Sequence, residues 1–206
     1  MTWDLLILSQ PSRIRFLWQL LEILKPQIHN TPVEVKIRQF NPAMSLGENR
    51  EVMRREAKSD YISMLDDDDL ITIDFVAKVL PLLDGVDQVS FDCQIYRNWT
   101  KLPVAHHSLK YGHWYQDANG FYRDISHIAS VMRRDLALQA PMSGGIGEDW
   151  RWAMEIRNLG IVKTEHHLDE VLYHYIERHQ KNDALDWKDA RRLALIEHLR
   201  TASESS

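Results

Sequence analysis

The chain of 206 residues has a single cysteine, Cys93, and therefore cannot form an internal disulfide. This favours a reducing compartment. The first ten residues contain one acidic and no basic residue, and their apolar run is too short for a signal peptide. No stretch reaches the roughly 20 apolar residues that span a bilayer. We therefore expect a cytoplasmic protein without a transmembrane segment.

The chain also lacks an excess of basic over acidic residues, with 25 Lys and Arg against 30 Asp and Glu. The net charge is −5, which gives no electrostatic footprint for nucleic acid or an acidic membrane surface. The remaining composition, 44% hydrophobic and 27% charged, is that of a globular protein. Because the chain shows no repeat and no linker, we expect one domain over residues 1–200 and a frayed tail over residues 201–206.

The first half of the chain alternates strand and helix patterns. Three apolar stretches indicate strands: Asp4–Leu8, Val33–Phe40 and Tyr61–Leu65. Between them, Ser12 is a predicted N-cap of a helix that should end before Pro26, and Ser45 with Glu48 forms a capping-box pattern. Thr72 is the predicted cap of the next helix. This alternation predicts an α/β fold with a mostly parallel central sheet, in which ligands bind at the carboxyl ends of the strands.

The second half is less regular. Its predicted elements are strands at 88–96, 125–132, 161–164 and 170–175, a helix at 148–159 ending at Gly160, and a last helix capped by Asn182 or Asp183. The segment Trp99–Tyr122 is rich in aromatic residues and histidines. It is long enough to be a functional loop, although packing of its rings on the sheet edge is an equal alternative.

Four consecutive carboxylates, Asp66–Asp69, follow the third strand directly. Like charges at the end of a buried strand need compensation, and oxygen ligands suit Mg²⁺, Mn²⁺ or Ca²⁺. A solvated acidic turn is the alternative.

Three patterns together resemble the family-2 glycosyltransferases of the GT-A fold. The first runs from Gly47-Glu48-Asn49-Arg50 through Ala57 and Tyr61 to the Asp66–Asp69 run. The second is Gly147-Glu148-Asp149-Trp150, which is similar to the family's Glu-Asp pair at the start of a helix. The third is Tyr173-His174-Tyr175, where many such enzymes supply a histidine to the metal. The resemblance implies a Rossmann-like GT-A domain.

The resemblance also implies a metal site and a donor. Asp68 would bind the cation, Asp66 would share it or hold the ribose, and His174, or alternatively His179, would complete the site. A histidine ligand favours Mn²⁺ over Mg²⁺. A UDP-sugar is the expected donor, although the segment Arg38–Asn41 lacks the Asp with which the family usually reads the base.

The remaining site residues follow from the same patterns. The resemblance implies Asp149 as the general base for an acceptor hydroxyl, with inversion by direct displacement, and Glu148 beside it. Arg13 and Arg50 are candidate phosphate partners, because guanidinium groups match phosphate bidentately; exposed helix charges are the alternative. Three further residues are expected to contact the donor or acceptor: Pro11, Asp67 and Trp150.

Two other functions remain open on the sequence. A sugar-phosphate nucleotidyltransferase shares the α/β layout, but Ser9–Arg13 lacks the glycines of a phosphate loop. A non-catalytic sugar- or nucleotide-binding module of the same fold is the third hypothesis.

Overall fold

The computed structural model describes residues 1–177 and 187–201. Its strands are β1 Trp3–Ser9, β2 Val33–Gln39, β3 Tyr61–Asp66, β4 Leu70–Ile71, β5 Gln88–Arg97, β6 Thr100–Lys101, β7 Ala105–His107, β8 Tyr115–Gln116, β9 Phe121–Arg123, β10 Ser130–Arg133 and β11 Glu165–Glu177. Its α-helices are α1 Ile14–Ile28, α2 Leu46–Glu56, α3 Phe75–Val79, α4 Arg134–Ala137, α5 Glu148–Leu159 and α6 Ala190–Thr201.

The strands form one mixed sheet in the order β2-β1-β3-β10-β5-β7-β9-β8. β1 runs parallel to β2 and β3, and its Leu8 lies opposite Asp66. β10 is antiparallel to both β3 and β5, and β11 runs parallel to β5 along its whole length. The carboxyl ends of β1, β2, β3, β5 and β11 therefore share one edge, and the predicted α/β architecture is confirmed.

Helices cover both faces of the sheet, which explains why all seven residues of β1 are buried. Alternate side chains of β1 enter different cores. Leu5 and Ile7 pack in the core beneath α1, α3 and α6, whereas Leu6 and Leu8 pack in the core beneath α2, α4 and α5. No helix in the described ranges is long and apolar enough to cross a membrane.

Some predicted boundaries of the helices were wrong. α1 continues through Pro26, because a proline in the last turn of a helix removes only one backbone hydrogen bond. Ser12 does not cap α1 but lies in a 3₁₀ turn, Pro11–Arg13, that precedes it. Thr72 is not the cap of α3 either, since Asp74 occupies the N-cap position without a side-chain bond. The capping box of Ser45 and Glu48 is confirmed.

The second half also differs from the prediction. The strand predicted at 125–132 is confined to Ser130–Arg133, and residues 161–164 form no strand. The strand predicted at 170–175 is instead the 13-residue β11. Trp99–Tyr122 contains the short strands β6, β7 and β8 and the start of β9 rather than a featureless loop. The proposed caps Asn182 and Asp183 lie outside the described residues.

Candidate active site

A cleft of about 500 Å³ opens at the carboxyl edge of the sheet. This volume lies within the usual range for sites that bind small molecules. Six carboxylates and three guanidinium groups line it: Asp66, Asp67, Asp68, Glu148, Asp149 and Glu177, with Arg13, Arg50 and Arg123. The structure therefore brings together the Asp run and the Glu148-Asp149 pair, which are about 80 residues apart in the sequence.

The turn after β3 presents its carboxylates to two different partners. Asp67 accepts the backbone N–H of Gln10 at 3.0 Å, and the Arg13 guanidinium lies 3.3 Å from Asp67 and 3.1 Å from Asp68. Burial and the neighbouring charge of Asp68 raise the pKa of Asp67 to about 6. Arg13 therefore offsets only part of the charge of this turn.

Asp69 points away from the cleft and fixes the turn from below. Its carboxylate accepts the hydroxyl of Tyr173 at 2.7 Å and the backbone N–H of Ile176 at 2.8 Å. The Tyr173 oxygen in turn accepts the backbone N–H of Asp66 at 3.1 Å. Burial and the charges of Asp68 and Asp66 raise the pKa of Asp69 well above its usual value. Asp69 thus has a supporting role and is buried from solvent.

Arg50 joins the two carboxylate groups of the cleft. Its guanidinium lies 2.5 Å from Asp66 and forms a short ion pair with Glu148. Burial alone would lower the pKa of Arg50, but these two carboxylates raise it above its usual value. Arg50 is only 6% exposed, so the alternative of a solvent-exposed helix charge does not hold.

His127 connects Arg50 to Asp149. Its Nε2 lies 3.0 Å from the Arg50 Nη1, and its Nδ1 lies 3.6 Å from the Asp149 carboxylate. Burial, and then the charge of Arg50, holds the pKa of His127 well below its usual range, so the ring is neutral. Because arginine is only a donor, Nε2 is the acceptor and Nδ1 carries the hydrogen. The Nδ1–H group therefore faces Asp149.

Helix α2 positions Arg50, and the start of this helix is fixed by residues close to Arg50 in the sequence. The capping box starts the helix, and the buried Asn49 accepts the backbone N–H of Asn41 at 2.8 Å. Asn49 also donates to the backbone oxygens of Asn41 and Ser45. The backbone of Gly47 donates to Gly144 at 2.8 Å. A Cβ at Gly47 would lie 2.6 Å from the Ser143 backbone carbon, so the close approach of α2 to the glycine loop, Gly144–Gly147, requires glycine.

Helix α6 supports the Asp turn from the other side. Arg192 is 1% exposed and donates to the backbone oxygen of Asp68 at 2.7 Å. It also donates to the side chain of Gln19 in α1 at 2.6 Å and lies over the ring of Phe16. The Asp66–Asp69 turn is therefore tied to both α1 and α6.

Three predicted site residues do not line the cleft, and a fourth is not described. Pro11 is exposed in its turn, and Trp150 is 46% exposed on the outer side of α5. His174 packs against Tyr96, with ring centroids 6.0 Å apart. Tyr175, Ile176 and Glu177 of β11 line the cleft, whereas His174 does not. The metal role of His174 stays a prediction. The alternative ligand, His179, lies outside the described residues.

A separate group of three residues could hold a cation: Asp92, His106 and Asp169, with one ligand atom each within 4.8 Å of one another. None of them lines the cleft. The Asp92 carboxylate already contacts the His106 Nδ1 at 2.6 Å and the His107 backbone N–H at 3.3 Å. Both of its oxygens therefore have partners, and this group differs from the predicted Asp66 and Asp68 site.

Sequence reasoning missed His127 and Arg123. His127 lies in a stretch that was predicted as strand, and neither residue belongs to a recognisable motif. The available signal was weak: Arg123 immediately follows the aromatic segment Trp99–Tyr122.

The donor set fits a divalent cation. Within the described ranges, six carboxylates line the cleft against three guanidinium groups, and the neutral His127 adds no charge. A cleft with this excess cannot accept a diphosphate without further positive charge. Asp66 and Asp68 offer carboxylate oxygens, the ligands that Mn²⁺ and Mg²⁺ accept.

No protein-family model matches the chain, and no curated protein matches it either. Solved structures do match. The structure of S. aureus TarS 1–349 with UDP-GlcNAc has a TM-score of 0.60 at 15% identity, covering 98% of this chain and 67% of that one. The chain spans 42% of a longer TarS structure.

Two other matches contain a metal. Glucosyl-3-phosphoglycerate synthase from Mycobacterium tuberculosis, with Mn²⁺, UDP and glucosyl-3-phosphoglycerate, has a TM-score of 0.58 at 10% identity and covers 98% of this chain and 79% of that one. A Drosophila β-1,4-galactosyltransferase 7 mutant with manganese, UDP-Gal and xylobiose has a TM-score of 0.52 at 13% identity, covering 88% and 66%. This chain therefore has the fold of the GT-A glycosyltransferases.

Proposed function

We propose that this protein is a glycosyltransferase that moves a sugar from a nucleoside diphosphate sugar, with UDP as the nucleotide, to an acceptor hydroxyl. One observation carries the proposal. The Asp66–Asp68 turn and the Glu148-Asp149 pair lie in one cleft and are connected through Arg50. The similar structures of TarS, the mycobacterial synthase and the galactosyltransferase hold UDP or a UDP-sugar, which supports the choice of nucleotide.

The residues divide the reaction between them. Asp66 and Asp68 would hold a divalent cation, Mn²⁺ first and Mg²⁺ second, which supplies positive charge for the leaving diphosphate. Asp149 accepts the proton of the acceptor hydroxyl while the acceptor oxygen bonds to the anomeric carbon. The bond from that carbon to the diphosphate breaks, and its electron pair stays on the diphosphate oxygen. Attack from the opposite face inverts the configuration.

A covalent route through the cleft cysteine is not supported. Cys93 lines the cleft, but burial raises the pKa of its thiol to about 12, so the thiol is protonated at neutral pH. A protonated thiol is a poor nucleophile. The direct displacement with Asp149 as base needs no such step.

The test is metal-dependent nucleotide binding. We expect UDP to bind in the presence of Mn²⁺ and not in the presence of EDTA. Asp68→Asn should reduce the affinity at least about 10-fold, since it removes a charged ligand. The folded state should be as stable as the wild type or slightly more so, because one of several crowded carboxylates is neutralised. UDP affinity is measured by calorimetry, and stability by thermal unfolding.

Asp84→Asn is the matched control, because Asp84 is exposed and does not line the cleft. It should leave UDP binding unchanged. Full Mn²⁺-dependent affinity in Asp68→Asn would refute the metal assignment. No UDP binding by the wild type would refute the proposed donor.

A further inference from the structure

Arg123 is the one arginine lining the described cleft that has no ion-pair partner. Arg13 lies against Asp67 and Asp68, and Arg50 against Asp66 and Glu148. Within residues 1–177 and 187–201, no carboxylate lies within 4 Å of the Arg123 guanidinium, and no hydrogen bond engages it.

The nearest carboxylate in the sequence is not available to Arg123. Both oxygens of Asp124 contact the guanidinium of Arg157, one of them at 2.5 Å. Asp124 also accepts the backbone N–H of Ile125 at 2.9 Å. The charge of Arg123 is therefore left for another partner.

The guanidinium is held in place from below by an aromatic ring. Its central carbon lies 4.5 Å from the centroid of the Trp114 ring. The Trp114 indole donates to the backbone oxygen of Ile125 at 2.8 Å, which fixes the ring. The backbone oxygen of Arg123 accepts the N–H of Ser108 at 2.9 Å. A guanidinium stacked in this way keeps its N–H edges for a planar or tetrahedral oxyanion.

Burial of this cation is unfavourable without a partner. It lowers the pKa of Arg123, and the neighbouring Cys93, Asp149 and Tyr175 offset that effect only in part; of these, Asp149 is the carboxylate. An anion brought by a substrate would replace the missing partner, and a hydrogen bond to a charged group contributes more than a neutral one.

The location of Arg123 distinguishes the two substrates. The Asp66–Asp68 turn and Arg13 belong to the β1 and β3 half of the sheet, where the diphosphate is proposed to bind. Arg123 ends β9, on the far side of β5, and the carboxylate near it is that of Asp149, the proposed base. A group bound at Arg123 would therefore lie on the acceptor side of the cleft.

We propose that Arg123, stacked on Trp114, forms a subsite for an oxyanion group, phosphate or carboxylate, carried by the acceptor. The acceptor class is thus an anionic hydroxyl compound. This inference rests on the proposed function, since it takes the Asp149 side of the cleft as the acceptor side.

The test uses sulfate and acetate as simple oxyanions, titrated at constant ionic strength into the full chain saturated with UDP and Mn²⁺. Calorimetry measures binding. We expect at least one of the two anions to bind to the wild type and Arg123→Gln to weaken that binding about 10-fold or more. Arg123→Lys, which keeps the charge but loses the planar fork, should retain part of the affinity. UDP affinity should stay within a few-fold of the wild type in both variants.

Arg55→Gln is the matched control, because it removes an exposed arginine that does not line the cleft. Three results would overturn the subsite: neither anion binds to the UDP-loaded wild type, Arg123→Gln binds the anion as the wild type does, or Arg123→Gln loses UDP affinity as well. The last result would assign the guanidinium to the diphosphate.

Failure of the proposed function has a different signature. If the wild type does not bind UDP with Mn²⁺, the donor assignment is wrong, and the same titration is made on the free protein. If the free protein binds the anion and this binding depends on Arg123, the subsite is supported but its acceptor role is not. If no such binding occurs, both the subsite and its acceptor role are rejected.

Discussion

At the scale of single residues, the cleft is organised by a chain of contacts rather than by isolated catalytic groups. Asp66 contacts Arg50, Arg50 contacts Glu148 and His127, and His127 faces Asp149. Each member is buried or partly buried, so each restricts the orientation of the next. Asp66, on the proposed donor side of the cleft, is thereby connected to the proposed base through two intervening side chains.

The first residue-scale prediction separates the two acids at the start of α5. Asp149→Asn keeps the shape and removes the basicity, so consumption of a UDP-sugar should slow by about 10²–10⁴-fold while UDP affinity stays within a few-fold of wild type. Glu148→Gln should slow the reaction less and lower stability instead, because Glu148 is the buried partner of Arg50. UDP release and thermal unfolding measure the two effects. Wild-type turnover in Asp149→Asn would remove the base assignment.

The second concerns His127, which acts through Asp149 and is therefore a positioning residue. His127→Phe keeps a flat ring but loses both nitrogens, and we expect the maximal rate to fall about 10–100-fold. UDP affinity should be unchanged. His127→Gln, which offers an acceptor and a donor, should recover part of the rate. If Gln and Phe are equally slow, or if UDP affinity falls as much as the rate, the role is structural packing and not orientation of Asp149.

At the scale of elements, the sequence predicted best what depends on local signals. The Ser45 and Glu48 capping box, the strand that begins at Tyr61 and the helix that begins at Glu148 all occur where they were expected. The contribution of His127 was not predictable, because it depends on a tertiary contact of the 125–129 segment with β3, in which the Met64 N–H donates to the His127 backbone oxygen. The position of His174 outside the cleft was not predictable either, because the pairing of β11 with β5 contains register shifts that the sequence pattern does not reveal.

The element-scale prediction concerns the contact between α2 and the glycine loop. Gly47→Ala should lower the free energy of unfolding by about 1–3 kcal/mol, because its Cβ would lie 2.6 Å from the Ser143 backbone. The loop also lines the cleft through Ile146 and Gly147, so UDP affinity should fall with stability. Gly145→Ala is the control, since nothing lies within 4 Å of its added Cβ. Equal stability of the two variants would contradict the prediction, because it would show that the loop shifts to accommodate the added Cβ without lowering the free energy of unfolding.

At the scale of the whole molecule, buried histidines make the folded state less stable as the pH falls. Burial lowers the pKa of His174 from 6.5 to about 4, and it also lowers the pKa values of His107 and His127. The unfolded chain takes up protons first as the pH falls. The stability that comes from keeping these rings neutral is therefore complete above pH 6.5 and is lost as the pH falls toward 4. Asp67, with a pKa raised to about 6, acts in the opposite direction.

Because these effects overlap, the prediction is a difference between variants. His174→Phe should gain stability relative to the wild type as the pH falls from 6.5 to 4, by a total on the order of 3 kcal/mol. Denaturant unfolding at a series of pH values measures it. His166→Phe is the control, because His166 is exposed. The free energy of unfolding of this variant should change with pH as that of the wild type does. The prediction would be contradicted if the free energies of unfolding of His174→Phe and the wild type differed by the same amount at every pH from 6.5 to 4.

The hydrogen bond from Arg192 to the backbone of Asp68 has a consequence for the order in which the protein matures. The two residues are 124 positions apart, and Tyr173 and Asp69 are 104 apart. The ribosome synthesises the Asp66–Asp69 turn early, and Tyr173 and Arg192, which hydrogen-bond to this turn, late. During synthesis, a nascent chain that already contains all four carboxylates therefore still lacks the residues that hold them in place. If the proposed function is correct, the chain would bind the nucleotide only after α6 has docked.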